Sequence, residues 1–232
     1  MLNNHKISVV IPAFNEERSI GLVIDDLPKN SIDEIIVVDN ASTDHTAQEA
    51  LMHGAKVLHE PRPGYGAACL KGLSAIHDAD VVVILDGDRS DYPEQVTRLL
   101  EPIVADEADF VIGSRVLGKR ETGSLSPQQY FGNKLAGFLI RVLFGHHFSD
   151  MGPFRALRFS SLKSLNMVDK NFGWNVEMQI KAIRKGLRIK EVPVDYRRRI
   201  GHSKISGTVS GTIKAGVKII GTIFYYAFVD KT

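Results

Sequence analysis

The sequence DVVVILDGD, residues 80–88, decides the fold of this chain. Residues 81–85 form an unbroken apolar run, which is typical of a strand that is covered on both faces, as in a parallel sheet. Asp86 and Asp88 follow the run and flank Gly87. In sheets of this class ligands bind at the carboxyl ends of the strands, so we expect both carboxylates at the ligand-binding edge.

Similar apolar runs occur on either side of this one, and helical patterns separate them. The predicted strands cover residues 7–13, 34–39, 55–59, 80–86 and 109–113. Asn15 is expected to cap the first helix, with Glu16 and Glu17 in its first turn, and the second helix is expected to begin near residues 42–43. Strands that alternate with helices predict an α/β fold with a mostly parallel sheet flanked by helices.

The second half of the chain has a less regular pattern. We predict a helix over residues 127–144, a turn and strand over 149–156, a helix after Trp174 and a strand over 188–196. No internal repeat is visible. The length of 232 residues suits one large domain, or a compact domain with a short appendage.

The composition is that of a globular protein. The 232 residues are 44% hydrophobic and 24% charged, which allows a sizeable core and makes global disorder a poor fit. The net charge of +2 argues against a dedicated nucleic-acid-binding protein, which usually has a strongly basic surface. With Cys69 as the one cysteine, no internal disulfide can form, and a reducing compartment fits. No apolar stretch has the length of a signal peptide or a membrane span, so we expect a cytoplasmic protein.

The carboxylates of Asp86 and Asp88 suit a hard cation. Mg²⁺ and Mn²⁺ prefer oxygen ligands, and Mg²⁺ usually keeps waters and substrate phosphates in its remaining positions. An ordinary acidic turn after a strand would have the same sequence. Asp39, which also ends a predicted strand, has two interpretations as well: a ligand-binding carboxylate, or a turn and helix-capping acid.

An ordered set of motifs resembles the family 2 glycosyltransferases. The motifs are PAFNEE (12–17), VVDNASTD (37–44), PGYGAA (63–68), LDGD (85–88) and GSR (113–115). Later segments look like the branch that contains dolichyl-phosphate mannose synthase and bacterial polyprenyl-phosphate sugar synthases. These segments are DMGPFRA (150–156), GWNVEMQIKA (173–182) and EVPVDYRRRIGHSKISGT (191–208). The resemblance extends to about residue 208.

This resemblance implies a metal-dependent, inverting hexosyltransferase on the nucleotide-diphospho-sugar transferase fold, of the GT-A type. The donor would be a GDP- or UDP-linked sugar and the acceptor a polyprenyl phosphate, as in cell-envelope glycan biosynthesis. Residues 1–208 would form the glycosyltransferase domain, with a nucleotide-sugar half over 1–115 and an acceptor half over 116–208. Residues 209–232 would form a helical tail.

Three other functions are weighed against this one. Transfer to a saccharide or small-molecule hydroxyl is the alternative within the same enzyme class. A non-catalytic sugar-nucleotide-binding module is the alternative outside it. A nucleotidyltransferase would need a glycine-rich, lysine-bearing loop after the first strand, where this chain has PAFNEE.

The resemblance assigns the donor side by position. The expected nucleotide-binding residues are Pro12, Ala13, Asn15, Glu17, Asp39, Arg62, Gly64, Asp86 and Gly87. Asp88 is the expected principal ligand of Mg²⁺ or Mn²⁺, with Asp86 beside it. Relatives often have a third ligand where this chain has Ser90, so either Asp91 or water is expected to fill that place.

The acceptor side is assigned in the same way. Arg115 and Lys204 are expected to bind phosphate together with Arg199, and the variable spacing to Gly201 leaves Arg198 as the alternative to Arg199. Glu177 and Asp150 are the candidate acids beside the acceptor. They join Asp88 as candidate catalytic residues, because an acceptor hydroxyl would need a general base, whereas an anionic phosphate would need none.

The tail has a basic amphipathic pattern. The residues Val209, Ile213, Val217, Ile220 and Phe224 recur at helical spacing from about residue 206 to residue 228. Lys214 and Lys218 occupy a neighbouring face, and such a helix can lie in a membrane interface. We expect peripheral contact with the inner face of the cell membrane. Packing on the domain and a homo-oligomer interface are the alternatives.

Overall fold

The computed structural model describes residues 2, 4–201 and 209–230. Its strands are β1 (Ile7–Ala13), β2 (Glu34–Asp39), β3 (Lys56–His59), β4 (Val81–Ile84), β5 (Phe110–Ser114), β6 (Arg155–Arg158) and β7 (Ile189–Pro193). Its helices are α1 (Ile20–Asp26), α2 (Thr46–Met52), α3 (Tyr65–Ser74), α4 (Val96–Val104), α5 (Pro127–Phe144), α6 (Phe159–Ser164), α7 (Trp174–Arg184) and α8 (Val209–Phe228). A 3₁₀ turn, Pro93–Gln95, precedes α4.

The strands form one seven-stranded sheet with the order β3-β2-β1-β4-β6-β5-β7. β6 runs antiparallel to β4 and to β5, and the remaining neighbours are parallel. The predicted mostly parallel α/β sheet is therefore confirmed. Strand β4 lies at its centre between β1 and β6, so the loop that follows β4 emerges at the middle of the carboxyl edge.

Helices cover both faces of this sheet. The alternate residues Val9 and Val83 pack on one face against α1 and α4, for example against Val23 and Leu99. Their neighbours on the other face pack against α3, α5, α7 and α8. A strand with helices on both faces must be apolar throughout, which explains the unbroken run in β4.

Two predicted helix starts are wrong. Helix α1 begins at Ile20 rather than after Asn15, and α2 begins at Thr46 rather than at residues 42–43. Asn15 has a left-handed backbone with φ of 54°, which no helix N-cap adopts. Its side chain instead accepts a hydrogen bond from the backbone N–H of Thr43 at 2.8 Å. Short polar residues in the loops after β1 and β2 hydrogen-bond to each other, and each helix begins a few residues later than predicted.

Helix α5 begins at the predicted Pro127 because Ser126 and Gln129 form a capping box. Helix α6 was not predicted from the sequence. Within the described ranges, none of the helices combines the length and apolar character that a bilayer-spanning segment needs.

The tail helix α8 packs on the domain through one of its faces. Ile223 and Tyr226 are buried against the core that α7 shares. The Tyr226 hydroxyl donates to Oε1 of Glu177 at 2.9 Å, and Nζ of Lys218 pairs with Oδ2 of Asp169 at 2.7 Å. One face of α8 therefore follows the packing alternative that the sequence left open.

The start of α3 approaches the loop over residues 169–171 very closely. Gly64 has φ of 152°, and the backbone N–H of Ala67 donates to the carbonyl of Lys170 at 3.0 Å. A Cβ added at Gly66 would overlap the carbonyl oxygen of Asp169. Glycine at these positions thus allows two backbones to touch.

We predict that Gly66→Ala lowers the free energy of unfolding by about 1–3 kcal/mol, because the added methyl group pushes α3 away from the carbonyl of Asp169. Urea denaturation followed by circular dichroism measures this change. Gly221→Ala, in α8, is the matched control, since a Cβ there meets nothing within 4 Å of the described structure. Equal stability of the two variants would contradict the prediction.

Candidate active site

Two neighbouring cavities open at the carboxyl edge of the sheet. The first has a volume of about 320 Å³ and lies over the ends of β1 and β4 and the start of α3. The second, of about 330 Å³, lies between α5, α8 and the segment around Tyr196. The residues that line both cavities are Tyr65, Asp86, Asp88, Phe172 and Arg199. These shared residues form the boundary across which a group would pass from one cavity to the other.

The acidic pair after β4 lies in this shared boundary. Asp88 accepts a hydrogen bond from the backbone N–H of Ser90 through Oδ1 at 2.8 Å, and its Oδ2 is 3.1 Å from Nη2 of Arg199. Oδ1 of Asp86 is buried and accepts no hydrogen bond from the described residues. Burial and the neighbouring charge of Asp88 raise the pKa of Asp86 to about 7. The positive charge around the two carboxylates is therefore too small to keep both of them readily ionised.

Arg199 reaches the pair because its segment runs beside the loop after β4. The backbone N–H of Ile200 donates to the carbonyl of Asp88 at 3.0 Å, and that of Arg197 donates to the carbonyl of Ser90 at 2.9 Å. Nη2 of Arg199 also donates to Oε1 of Glu16 at 3.0 Å. One guanidinium thus contacts two carboxylates that line the first cavity.

The neighbouring arginines point elsewhere. Nε of Arg197 donates to the carbonyl of Arg89 at 2.7 Å, and its Nη2 pairs with Asp26 at 3.1 Å. Nε of Arg198 donates to the carbonyl of Thr122 at 2.8 Å, away from both cavities. Of the two residues that the sequence left as alternatives, Arg199 is the one that lines the cavities. Lys204 lies outside the described residues.

The acidic pair fits a divalent cation of the magnesium type. In the described part of the chain, no three His, Cys, Asp or Glu side chains form a ready-made metal cluster. Mg²⁺ is commonly held by one or two carboxylates plus substrate phosphates and water, so Asp86 and Asp88 suffice. Asp91 is fully buried behind the pair and lines neither cavity. Its expected role as a third ligand stays a prediction.

Asp150 is engaged by Arg115 rather than free. Its two carboxylate oxygens accept hydrogen bonds from Nε and Nη2 of Arg115, each at 2.7 Å, and Oδ1 also accepts from Nδ2 of Asn133 at 2.7 Å. Although burial opposes ionisation, the charge of Arg115 lowers the pKa of Asp150. Arg115 in turn lies over the ring of Tyr196, with its Cζ 4.9 Å from the ring centroid. Arg115 lines the second cavity, and Asp150 holds its guanidinium in place there.

Glu177 is fully buried and lines neither cavity. Its carboxylate accepts hydrogen bonds from the backbone N–H groups of Val168 and Asp169, at 2.9 and 2.7 Å, in addition to the Tyr226 hydroxyl. Lys181 pairs with it at 2.7 Å. Glu177 therefore holds α8 to the domain through Tyr226, and it does not lie in the cavities with Asp88. Trp174 is buried in the core.

The predicted nucleotide-binding residues divide into two groups. Pro12, Ala13, Gly64, Asp86 and Gly87 line the first cavity. Asn15, Glu17, Asp39 and Arg62 do not line it in the described structure. Oε2 of Glu17 accepts from the backbone N–H of His45 at 3.1 Å, and Oδ2 of Asp39 lies 3.0 Å from Nδ1 of His59.

Several cavity residues were missed by the sequence analysis. Glu16 lines the first cavity in place of its neighbour Glu17, because the late start of α1 turns Glu16 inward. Asn40 lines it as well, and its Oδ1 accepts from the backbone N–H of Gly64 at 2.8 Å. Tyr65 could have been suspected, since it lies inside the PGYG motif between two glycines. No sequence signal pointed to Phe172.

We predict that Asp150→Asn destabilises the fold by about 3–5 kcal/mol, because it leaves the buried guanidinium of Arg115 without its counter-charge. The folded-state pKa of Asp150 lies below its usual value of 3.8. The stability that the carboxylate contributes is therefore complete above pH 3.8 and is lost as the pH falls through the lower, folded-state pKa.

Urea denaturation at a series of pH values tests this prediction. The difference between the wild type and Asp150→Asn should be constant near neutral pH and shrink in acid. Asp106→Asn is the matched control: Asp106 pairs with Arg188 and Arg158 at the exposed surface, so its loss should change stability far less. A difference that grows in acid would refute the assignment.

The chain is similar to known proteins over nearly its whole length. Residues 8–165 match the family model described as Glycosyl transferase family 2. A protein of Mycobacterium tuberculosis, described as an uncharacterized glycosyltransferase, is 35% identical over 215 residues, covering 90% of this chain and 94% of the relative. An undecaprenyl-phosphate mannosyltransferase of Micrococcus luteus is 34% identical over 226 residues, covering 89% and 90%.

Solved structures are similar as well. The crystal structure of glucosyl-3-phosphoglycerate synthase from Mycobacterium tuberculosis, in complex with Mn²⁺, uridine-diphosphate-glucose and phosphoglyceric acid, matches with a TM-score of 0.80 at 25% identity. The match covers 99% of this chain and 82% of that one. The predicted GT-A type of fold is therefore confirmed.

Proposed function

As a member of glycosyl transferase family 2, the chain is a glycosyltransferase, and we propose that it moves a hexose from a GDP- or UDP-linked sugar to a polyprenyl phosphate with inversion. Mg²⁺ or Mn²⁺ assists the transfer. The observation that carries the proposal is the junction of the two cavities, where Asp86, Asp88 and Arg199 lie together.

The first cavity suits a nucleotide sugar. Its floor is made by the ends of β1 and β4, where backbone and small side chains such as Ala13 and Gly87 allow close approach. Phe14 and Tyr65 provide aromatic surface on its walls. The sugar and diphosphate would then lie toward Asp86 and Asp88, at the boundary with the second cavity.

Asp86 and Asp88 would hold the metal ion. When bound, the ion would neutralise charge that develops on the leaving nucleoside diphosphate. Arg199 lies at the same boundary and brings a fixed positive charge with a planar array of donors, which matches phosphate oxygens. Its guanidinium would bind and orient phosphate there, so that the acceptor oxygen attacks from the side opposite the leaving group.

The second cavity favours a phosphate acceptor over a hydroxyl acceptor. A hydroxyl nucleophile needs a general base, whereas a phosphate is already anionic. Among the described residues that line this cavity, the carboxylates are Asp86 and Asp88, which the metal would occupy. Asp150 is held by Arg115, and Glu177 lies elsewhere. The Micrococcus luteus relative, described as an undecaprenyl-phosphate mannosyltransferase, supports a polyprenyl phosphate.

A small phosphorylated acceptor is the second candidate. The synthase from Mycobacterium tuberculosis was crystallised with phosphoglyceric acid, and it shares this fold. The two candidates are separated by a turnover assay that offers polyprenyl phosphate and phosphoglyceric acid in parallel. Transfer to polyprenyl phosphate supports the proposal, and transfer to phosphoglyceric acid alone overturns its acceptor.

We predict that a GDP- or UDP-sugar raises the melting temperature only when Mn²⁺ or Mg²⁺ is present. At a ligand concentration of about one hundred times Kd the rise should be roughly 5–10 °C. Asp88→Asn should abolish the metal-dependent part of the rise, because it removes one carboxylate of the pair. Differential scanning fluorimetry measures both effects.

Asp91→Asn is the control in the same assay and also tests the third ligand. Asp91 lines neither cavity, so this variant should keep the metal-dependent rise. If it loses the rise as completely as Asp88→Asn, then Asp91 is a ligand. If no nucleotide stabilises the wild type in a metal-dependent way, the proposed donor site is wrong.

We predict that Arg199→Gln lowers kcat/KM for transfer by about 100-fold or more, because it removes a charge-assisted contact to phosphate. Arg198→Gln is the matched control on the adjacent residue. Its guanidinium is bonded to the carbonyl of Thr122, so kcat/KM should change by less than about threefold. The reverse order of the two effects would move the phosphate site to Arg198.

A further inference from the structure

Helix α5 presents an apolar stripe to solvent. Phe131, Phe138 and Val142 recur at helical spacing and are 70, 62 and 63% exposed. The opposite side of the helix, with Ala136 and Ile140, is buried in the core. Large exposed apolar side chains that share one face are unusual in a monomeric protein and mark an interaction site.

Helix α8 presents a second stripe of the same kind. Ile213, Val217, Phe224 and Phe228 share its exposed face. Its other face is fixed to the domain through Tyr226. The stripe is therefore exposed on a helix that is packed into the fold. Helices α5 and α8 are in contact with each other and together line the second cavity. We therefore treat their two exposed stripes as parts of one surface, the α5–α8 face.

Both helices are basic. Neither residues 127–144 nor residues 209–228 contain an aspartate or a glutamate. They contain Lys134, Arg141, Lys214 and Lys218. On the helical wheel these cations flank the apolar stripes, which is the arrangement of a helix that lies in the interface of an anionic membrane.

The second cavity opens between the same two helices. Gln128, Gly132 and Leu135 of α5 line one side of it. Ala215, Gly216, Ile219 and Ile220 of α8 line the other side. The apolar face is therefore continuous with the cavity that would take the acceptor.

We infer that the α5–α8 face binds the surface of a bilayer that contains anionic lipid, with both helices contributing. The acceptor would then reach the second cavity from the bilayer, a point that rests on the proposed polyprenyl phosphate. A second copy of the chain is a poorer partner for this face. In a twofold dimer the face would meet itself, so Lys134, Arg141 and Lys214 would repel their copies, and neither helix has an acid to offset them. Lys218 is already paired with Asp169.

Vesicle flotation tests this inference. The full chain is mixed with phosphatidylcholine vesicles, with and without phosphatidylglycerol, and the floated fraction is measured. Binding should be clear on the vesicles that contain phosphatidylglycerol and weak on the others. The double variant Lys134→Gln/Lys214→Gln should lower binding to the anionic vesicles about 30-fold.

Paired variants separate the contributions of the two helices. Phe131→Ser/Phe138→Ser removes the α5 stripe, and Val217→Ser/Phe224→Ser removes the α8 stripe; each should lower binding roughly tenfold or more. Leu51→Ser/Met52→Ser on α2 is the matched control. These two residues are 58 and 70% exposed but lie outside the face, so binding should not change.

The outcomes are distinct. Loss in both stripe variants with retention in the α2 control supports the inference. Loss in the α8 variant alone, or no binding by the wild type, overturns it. Dissociation of a dimer by the stripe variants, without vesicle binding, also overturns it and assigns the face to a second copy.

Because no substituted residue lines a cavity, all variants should keep the metal-dependent response to nucleotide. A failed flotation is thus distinguishable from a failed donor site.

Discussion

The confinement of two carboxylates at the end of one buried strand is the constraint on which the site depends. Because β4 is paired on both sides, the loop after it holds Asp86 and Asp88 close together at the carboxyl edge of the sheet. Burial and the charge of Asp88 raise the pKa of Asp86 to about 7. Arg199 offsets part of this charge, and it does so from a segment far along the sequence that is hydrogen-bonded to the loop after β4. A bound divalent cation would supply the rest, and it would also offset the negative charge of a diphosphate at the same place.

The same electrostatic reasoning accounts for the second cavity. A buried arginine beside the acidic pair would be costly without a partner, and Asp150 is that partner. Asn133 of α5 donates to the same carboxylate, so the ion pair also fixes the helix that forms one wall. A fully engaged carboxylate is a poor general base. Among the described residues that shape this cavity, none is therefore the general base that a hydroxyl acceptor would require.

The strands and the acidic pair could be predicted from the sequence because they depend on local patterns. An apolar run indicates a buried strand, and the residues after it then lie at the carboxyl edge of the sheet, as β2 and β4 show. Side-chain direction could not be read in this way. Glu16 rather than Glu17 lines the cavity, and bonds between the loops after β1 and β2 accompany the late start of α1. Asp150 is engaged because Arg115, after β5, and Asn133 of α5 both lie beside it. Both facts depend on contacts between segments distant in sequence.

The tail shows why an amphipathic pattern alone was ambiguous. The two faces of α8 do different things: Tyr226 and Lys218 hold it to Glu177 and Asp169, while the apolar stripe remains exposed. The loop that contains Asp169 also contacts Gly66, at the start of α3 beside the first cavity. One loop therefore supports both the helix that covers the second cavity and the helix that borders the first.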